Sequence, residues 1–212
     1  MRLRSLPALC LALLATTGTA HAAAGSWTFR VLLGDSDIGE HRFTLSEQGE
    51  QRSMRIAAAF AVKLLGITVY RYRHEATEQW TGDCLAGLNA ETDDNGTQLK
   101  VSAKPGAERM LAVESPQGAA QLGPCVMSFA YWNPAMLQQT ALLNAQSGKL
   151  EAVRVKALGE ESVSVRGQAT PARHYAIEGL ERPIQLWYSL QGDWLALEST
   201  VAGGKRLRYV LQ

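Results

Sequence analysis

Residues 67–80 read ITVYRYRHEATEQW, and the spacing of large side chains in this stretch decides the fold class. Tyr70, Tyr72, His74, Ala76, Glu78 and Trp80 fall at every second position, and so do Val69, Arg71, Arg73, Glu75, Thr77 and Gln79. A helix would scatter both sets around its circumference, whereas a β-strand gives each set its own face. The second face is a charged ladder suited to solvent. The first is aromatic with two titratable groups, His74 and Glu78. It is either a core-facing side whose polar tips satisfy one another, or the wall of a ligand pocket.

The same period of two recurs on both sides of this stretch. In WTFRVLLG (27–34), Trp27, Phe29, Val31 and Leu33 alternate with Thr28 and Arg30. In SMRIAAAFAV (53–62), Met54, Ile56, Phe60 and Val62 share a face opposite Arg55 and alanines. Asn95-Gly96 is a strong hairpin signal, and residues 183–212 read as two successive hairpins turning at Gln191-Gly192-Asp193 and Gly203-Gly204. Helix signals concentrate in CVMSFAYWNP (125–134) and in the ten residues after it. SFAYW is expected to be a strand, with Phe129 and Tyr131 on one face and Ala130 and Trp132 on the other. Asn133 can cap a short helix with Pro134 in its first position. That helix, over NPAMLQQTALLN, is expected to close over the sheet.

Arg2 and Arg4, the apolar run Leu6–Ala15 and the small-residue site Ala20-His21-Ala22 have the order of a cleavable secretory signal peptide. The expected organisation is therefore a signal peptide over 1–22 and a single β-rich domain over 23–212, located in the periplasm. Cys10 lies inside the apolar run, so it is not placed as a lipoprotein cysteine. Charge is nearly balanced, with 21 Lys+Arg against 20 Asp+Glu, and gives no whole-chain reason to expect nucleic acid or anionic lipid as a partner. No transmembrane segment is expected in the mature chain. Its two cysteines, Cys84 and Cys125, most simply pair in an oxidising compartment, a cross-link contributing roughly 4 kcal/mol on the chain-entropy model.

Gly34-Asp35-Ser36 at a strand end is similar to the nucleophile block of the GDSL esterases. No Asp-x-x-His partner follows, however, and that family's oxyanion block is missing. The segment is better read as a polar turn between two strands. No Gly-x-Ser-x-Gly, His-Glu-x-x-His, Cys-x-x-Cys or phosphate-binding glycine loop occurs in the sequence. Of the remaining histidines, His41 shares a face with Phe43 and Leu45, and His174 is expected to face solvent. No cofactor, metal site or catalytic residue is expected.

The run W-x-F-x-V-x-L…IG-x-HRF, VYRY-x-HEA-x-E-x-W-x-G-x-C-L, TDDNG, SFAYWNP and LWY…WLALES…RLRYVL resembles domain-of-unknown-function family 6134, an exported family of Gram-negative bacteria. The resemblance implies an exported β-rich domain and carries over no activity or site residues. A looser similarity, at the level of fold, is to the incompletely closed barrels of lipoprotein carriers.

The expected fold is mainly β. A single antiparallel, strongly curved sheet, a half-barrel or β-roll, would pack against one short helix after Asn133. Three functions fit, in this order. The first is a non-enzymatic binding or carrier module for an apolar or lipid-like amphiphilic ligand, with Tyr70, Tyr72, His74, Glu78 and Trp80 as wall and Phe129 and Tyr131 as lip. The second is a filled domain making protein contacts in an envelope assembly. The third is an enzyme in which His74 and Glu78 converge with a nucleophile that the sequence does not identify.

Overall fold

The computed structural model describes residues 23–212, and the expected signal peptide, residues 1–22, lies outside them. Alternating sequence becomes strand almost throughout. The first eight strands run β1 Ala23–Leu33, β2 Ser36–Gln48, β3 Gln51–Leu64, β4 Ile67–Thr81, β5 Cys84–Asp94, β6 Thr97–Pro105, β7 Leu111–Ser115 and β8 Gly118–Leu122. Two short strands follow, β9 Ala141–Leu143 and β10 Leu150–Ala152. The last five are β11 Arg154–Val165, β12 Gln168–Glu178, β13 Ile184–Ser189, β14 Trp194–Thr200 and β15 Arg206–Leu211. Thirteen strands form one antiparallel, unclosed sheet in the order β11-β12-β13-β14-β15-β1-β2-β3-β4-β5-β6-β7-β8, and β9 and β10 form a separate pair.

Sequence neighbours pair with each other except at β1–β15, where Phe29 meets Leu211 and Leu33 meets Leu207. That contact joins two meanders, β1–β8 and β11–β15, into one sheet. The hairpin turns behave as their residues dictate. Asn95 and Gly96 both take positive φ, 51° and 95°, as a two-residue turn requires. Gly34-Asp35 forms the polar turn between β1 and β2. A bulge at Ile38 shifts the β1–β2 register, and at Gly39 beside it an added Cβ would stand 2.0 Å from the Ala59 carbonyl oxygen. Only glycine fits there.

Residues 123–153 do not continue the sheet but cross one of its faces. Cys125 is disulfide-bonded to Cys84, and the Leu85 N–H donates to the Val126 carbonyl at 2.9 Å. Farther along, the Tyr188 hydroxyl donates to the Tyr131 carbonyl at 2.8 Å, and the Tyr72 hydroxyl donates to Gln146 at 3.1 Å. The core lies between this segment and the sheet: Phe29, Met54, Trp80, Leu186 and Trp194 from below, and Met127, Met136, Leu142 and Leu143 from above. Burying these large side chains contributes about 1.5–3 kcal/mol each.

Two expectations fail in this segment. SFAYW is a run of tight turns, in which the Ala130 N–H donates to Ser128 and the Tyr131 N–H to Phe129, at 2.7 and 3.0 Å. Its only ladder contact is an isolated bridge from Ser128 to Leu143, so no neighbouring strand holds it extended. The helix after Asn133 is a five-residue 3-10 turn, Pro134–Gln138, and no α-helix occurs among the described residues. Asn133 does cap it, accepting from the Ala135 N–H at 3.0 Å. The chain then straightens because Leu142 and Leu143 are both wholly buried, and β9 pairs with β10.

Candidate functional site

Strand β4 keeps the two faces read from its sequence. Arg71, Arg73, Glu75 and Gln79 are exposed, while His74, Ala76, Glu78 and Trp80 are buried. The aromatic face meets a cavity of about 550 Å³. His41 and Phe43 from β2, Ile56 from β3, and Tyr72, His74 and Glu78 from β4 form one wall. Ile184, Leu197 and Tyr209, from β13, β14 and β15, form the other. Phe129 and Tyr131 cover it, and Lys149, Glu151, Glu181 and Arg182 also border it. Lys149 and Arg182 are paired with Glu151 and Glu181 at 2.7 and 2.9 Å, so these charges are largely self-compensated.

Five of the seven residues singled out from sequence thus meet at one cavity: Tyr72, His74, Glu78, Phe129 and Tyr131. The other two go elsewhere. The Tyr70 hydroxyl donates to Asp94 at 2.7 Å, away from the cavity. Trp80 is wholly buried, edge-on against Trp132 with centroids 5.6 Å apart, and its indole N–H donates to Glu78 at 3.1 Å. It belongs to the core. His174, expected in solvent, is half-buried, stacked on Trp187 at 4.4 Å and bonded to Gln185. Exposed aromatic surface on the neighbouring strand draws it down.

Burial disfavours the charged form of each polar group inside. His41, whose Nδ1 lies 3.2 Å from the Tyr209 hydroxyl, is lowered to about 3 by burial and by the nearby His74. Burial likewise lowers His74 to about 4, with its Nδ1 2.8 Å from the Thr92 hydroxyl. It pushes Glu78 up to about 7, against the pull of the Trp80 indole N–H. The hydroxyls of Tyr72, Tyr131 and Tyr209 are raised by burial and by one another. His74 and Glu78 stand roughly 13 Å apart along the strand and have separate partners. They do not converge on one reacting atom. Among the described residues no three His, Cys, Asp or Glu side chains group to hold a metal.

His41 was visible in the sequence without a role, and its buried Nε2 has no partner. Tyr209 and Leu197 went unnoticed. Alternation in RLRYVL places Tyr209 with Leu207 and Leu211, but nothing local shows that this face meets β2 across β1.

The model of the family described as "Domain of unknown function (DUF6134)" matches residues 29–212. No curated protein matches the chain. A solved structure is similar in fold, the "Beta-barrel-like Protein of Domain of Unknown Function DUF1849 from Brucella abortus". It aligns with a TM-score of 0.61 and 12% identity, over 88% of this chain and 94% of its own.

Proposed function

The chain belongs to the DUF6134 family, whose description names no activity, and we propose from its cavity that it is a non-enzymatic, periplasmic binding or carrier module for an apolar or amphiphilic molecule. One observation carries this reading. A cavity of about 550 Å³ falls within the range of small-molecule sites, about 300–1,000 Å³, and its wall combines aromatic and aliphatic side chains with a few polar tips. The sheet curls into a half-barrel around it. In support, the segment 123–153 touches β4 through Gln146 and β13 through Tyr131, strands six apart in the sheet order. Export through residues 1–22 would place the module where its disulfide persists.

Native mass spectrometry of gently purified protein, followed by organic extraction, tests the proposal. Adducts of lipid mass are expected on wild type. They should be lost in Leu197→Trp, which fills the cavity, and weakened in Tyr72→Ala, with circular dichroism unchanged. A bare apo mass after incubation with envelope lipids would overturn it.

A further inference from the structure

The β3–β4 hairpin extends beyond the sheet that holds it. Pairing of β3 with β2 stops at Phe60, and pairing of β4 with β5 stops at Tyr72. Arg71 is still held by Asn95, through bonds of 2.8 and 3.3 Å, so residues 61–64 and 67–70 form a two-stranded ribbon projecting roughly 13 Å. Its tip is apolar and open to solvent: Leu64 is 64% exposed, Leu65 95%, Ile67 69% and Val69 52%. Leu64 and Ile67 are cross-strand partners and share a face, and exposed Val69 is the extra residue of a bulge in the β3–β4 pairing. That bulge turns the alternation over, so exposed Arg71 and Arg73, nearer the base of the hairpin, stand on the opposite face, with their partners Ala61 and Ala59.

Turn chemistry makes the tip harder to explain as mere structure. Leu65 and Gly66 take φ of 51° and 82°, nearly the conformation of Asn95 and Gly96 at the β5–β6 turn. Asparagine tolerates that left-handed position, and leucine does not favour it. The chain thus sets a large apolar side chain where the backbone prefers a polar one, and then exposes it almost completely.

Charge supplies the second observation. Residues 61–73, AVKLLGITVYRYR, contain three cations and no carboxylate. None of Lys63, Arg71 and Arg73 forms an ion pair among the described residues. Two acids at the ribbon's base have other bonded partners: Asp93, directly across the ladder from Arg73, accepts from the Gly96 N–H, and Asp94 accepts from the Tyr70 hydroxyl, both at 2.7 Å. From tip to base along β4 the order is aliphatic side chains, then Tyr70, then Arg71 and Arg73, while Lys63 on β3 stands opposite Thr68 within the aliphatic layer, on a stem long enough to carry its charge outward. An apolar layer, an amphipathic aromatic and a cationic rim is the sequence of environments met on entering a bilayer with acidic head groups.

We propose that this hairpin tip is a membrane-docking element, which seats Leu64, Leu65, Ile67 and Val69 in the surface of an anionic bilayer while Lys63, Arg71 and Arg73 meet the lipid phosphates. The assignment stands independently of any ligand in the cavity. Co-sedimentation with vesicles of phosphatidylcholine and phosphatidylglycerol in equal parts, and of phosphatidylcholine alone, tests it. Wild type is expected to bind the mixed vesicles and to lose at least about tenfold in affinity on pure phosphatidylcholine. Leu65→Asn/Ile67→Thr should abolish sedimentation with an unchanged or raised melting temperature, because asparagine suits the turn and threonine suits the strand. Lys63→Gln/Arg71→Gln should weaken it. Equal binding to both vesicle types, binding that survives the Leu65/Ile67 change, or no binding by wild type would overturn the proposal. So would a concentration-dependent dimer abolished by the same substitutions, which would make a second copy the occupant.

Discussion

Glu78 and the two cavity histidines pull the pH dependence of stability in opposite directions. The folded chain keeps a proton on Glu78 up to about 7, while the unfolded chain releases it near 4.5. Stability from this residue therefore falls as pH rises through that window. His41 and His74 stay neutral in the fold down to about 3 and about 4, but are protonated in the unfolded chain below 6.5. Their contribution is present above 6.5 and is lost as pH falls. Glu78→Gln, whose amide oxygen can still accept from Trp80, is expected to gain about 3 kcal/mol on wild type across the Glu78 window. Urea midpoints of both proteins over that range measure the gain, and a constant difference would mean that Glu78 titrates normally. At Gly39 the expected effect is steric. Gly39→Ala drives a Cβ into the Ala59 carbonyl and should cost about 2 kcal/mol or more by thermal unfolding. Of these residues, His74 and Glu78 were legible because alternation along β4 put them on the apolar side. The need for glycine at 39 was not, because the atom it avoids belongs to a strand twenty residues away.

Elements whose neighbours are also their sequence neighbours were easily read. Hairpins β5–β6, β13–β14 and β14–β15 carry both alternation and turn residues, and each formed where expected. The segment 123–153 was not legible, since a cap and a proline mark where a helix begins but not how long it lasts. Asn133 and Pro134 did start a helical turn, which Leu142 and Leu143 then ended by both going into the core. This segment depends on its tethers. Cys84→Ala/Cys125→Ala opens a link between residues 41 apart and is expected to lower unfolding free energy by roughly 4 kcal/mol. Asn133→Ala removes both the cap and the bond from its amide to Asp83, with a loss of about 1 kcal/mol or somewhat more. Denaturant melts with and without reductant separate the two contributions.

For the whole molecule, period-two patterning identified a mainly β chain but said nothing of a cavity, because a filled sheet and a hollow one alternate alike. Net charge hid as much. Near balance over the chain conceals an acid-free stretch at residues 61–73, since a sum has no position. The joining of the two meanders at β1–β15 also sets a timetable. Cavity walls come from β2–β4 on one side and β13–β15 on the other, so neither meander alone encloses anything. At about 5–20 residues per second, β15 is synthesised on the order of ten to forty seconds after β1. During that delay the edge of β1 that will receive β15 is open, and the aromatic face of β4 lacks its opposite wall. A nascent chain held unfolded until β15 exists would avoid the exposure, whereas one that folds as it emerges must spend that interval half-built, with an unpaired strand edge that any other extended chain could join.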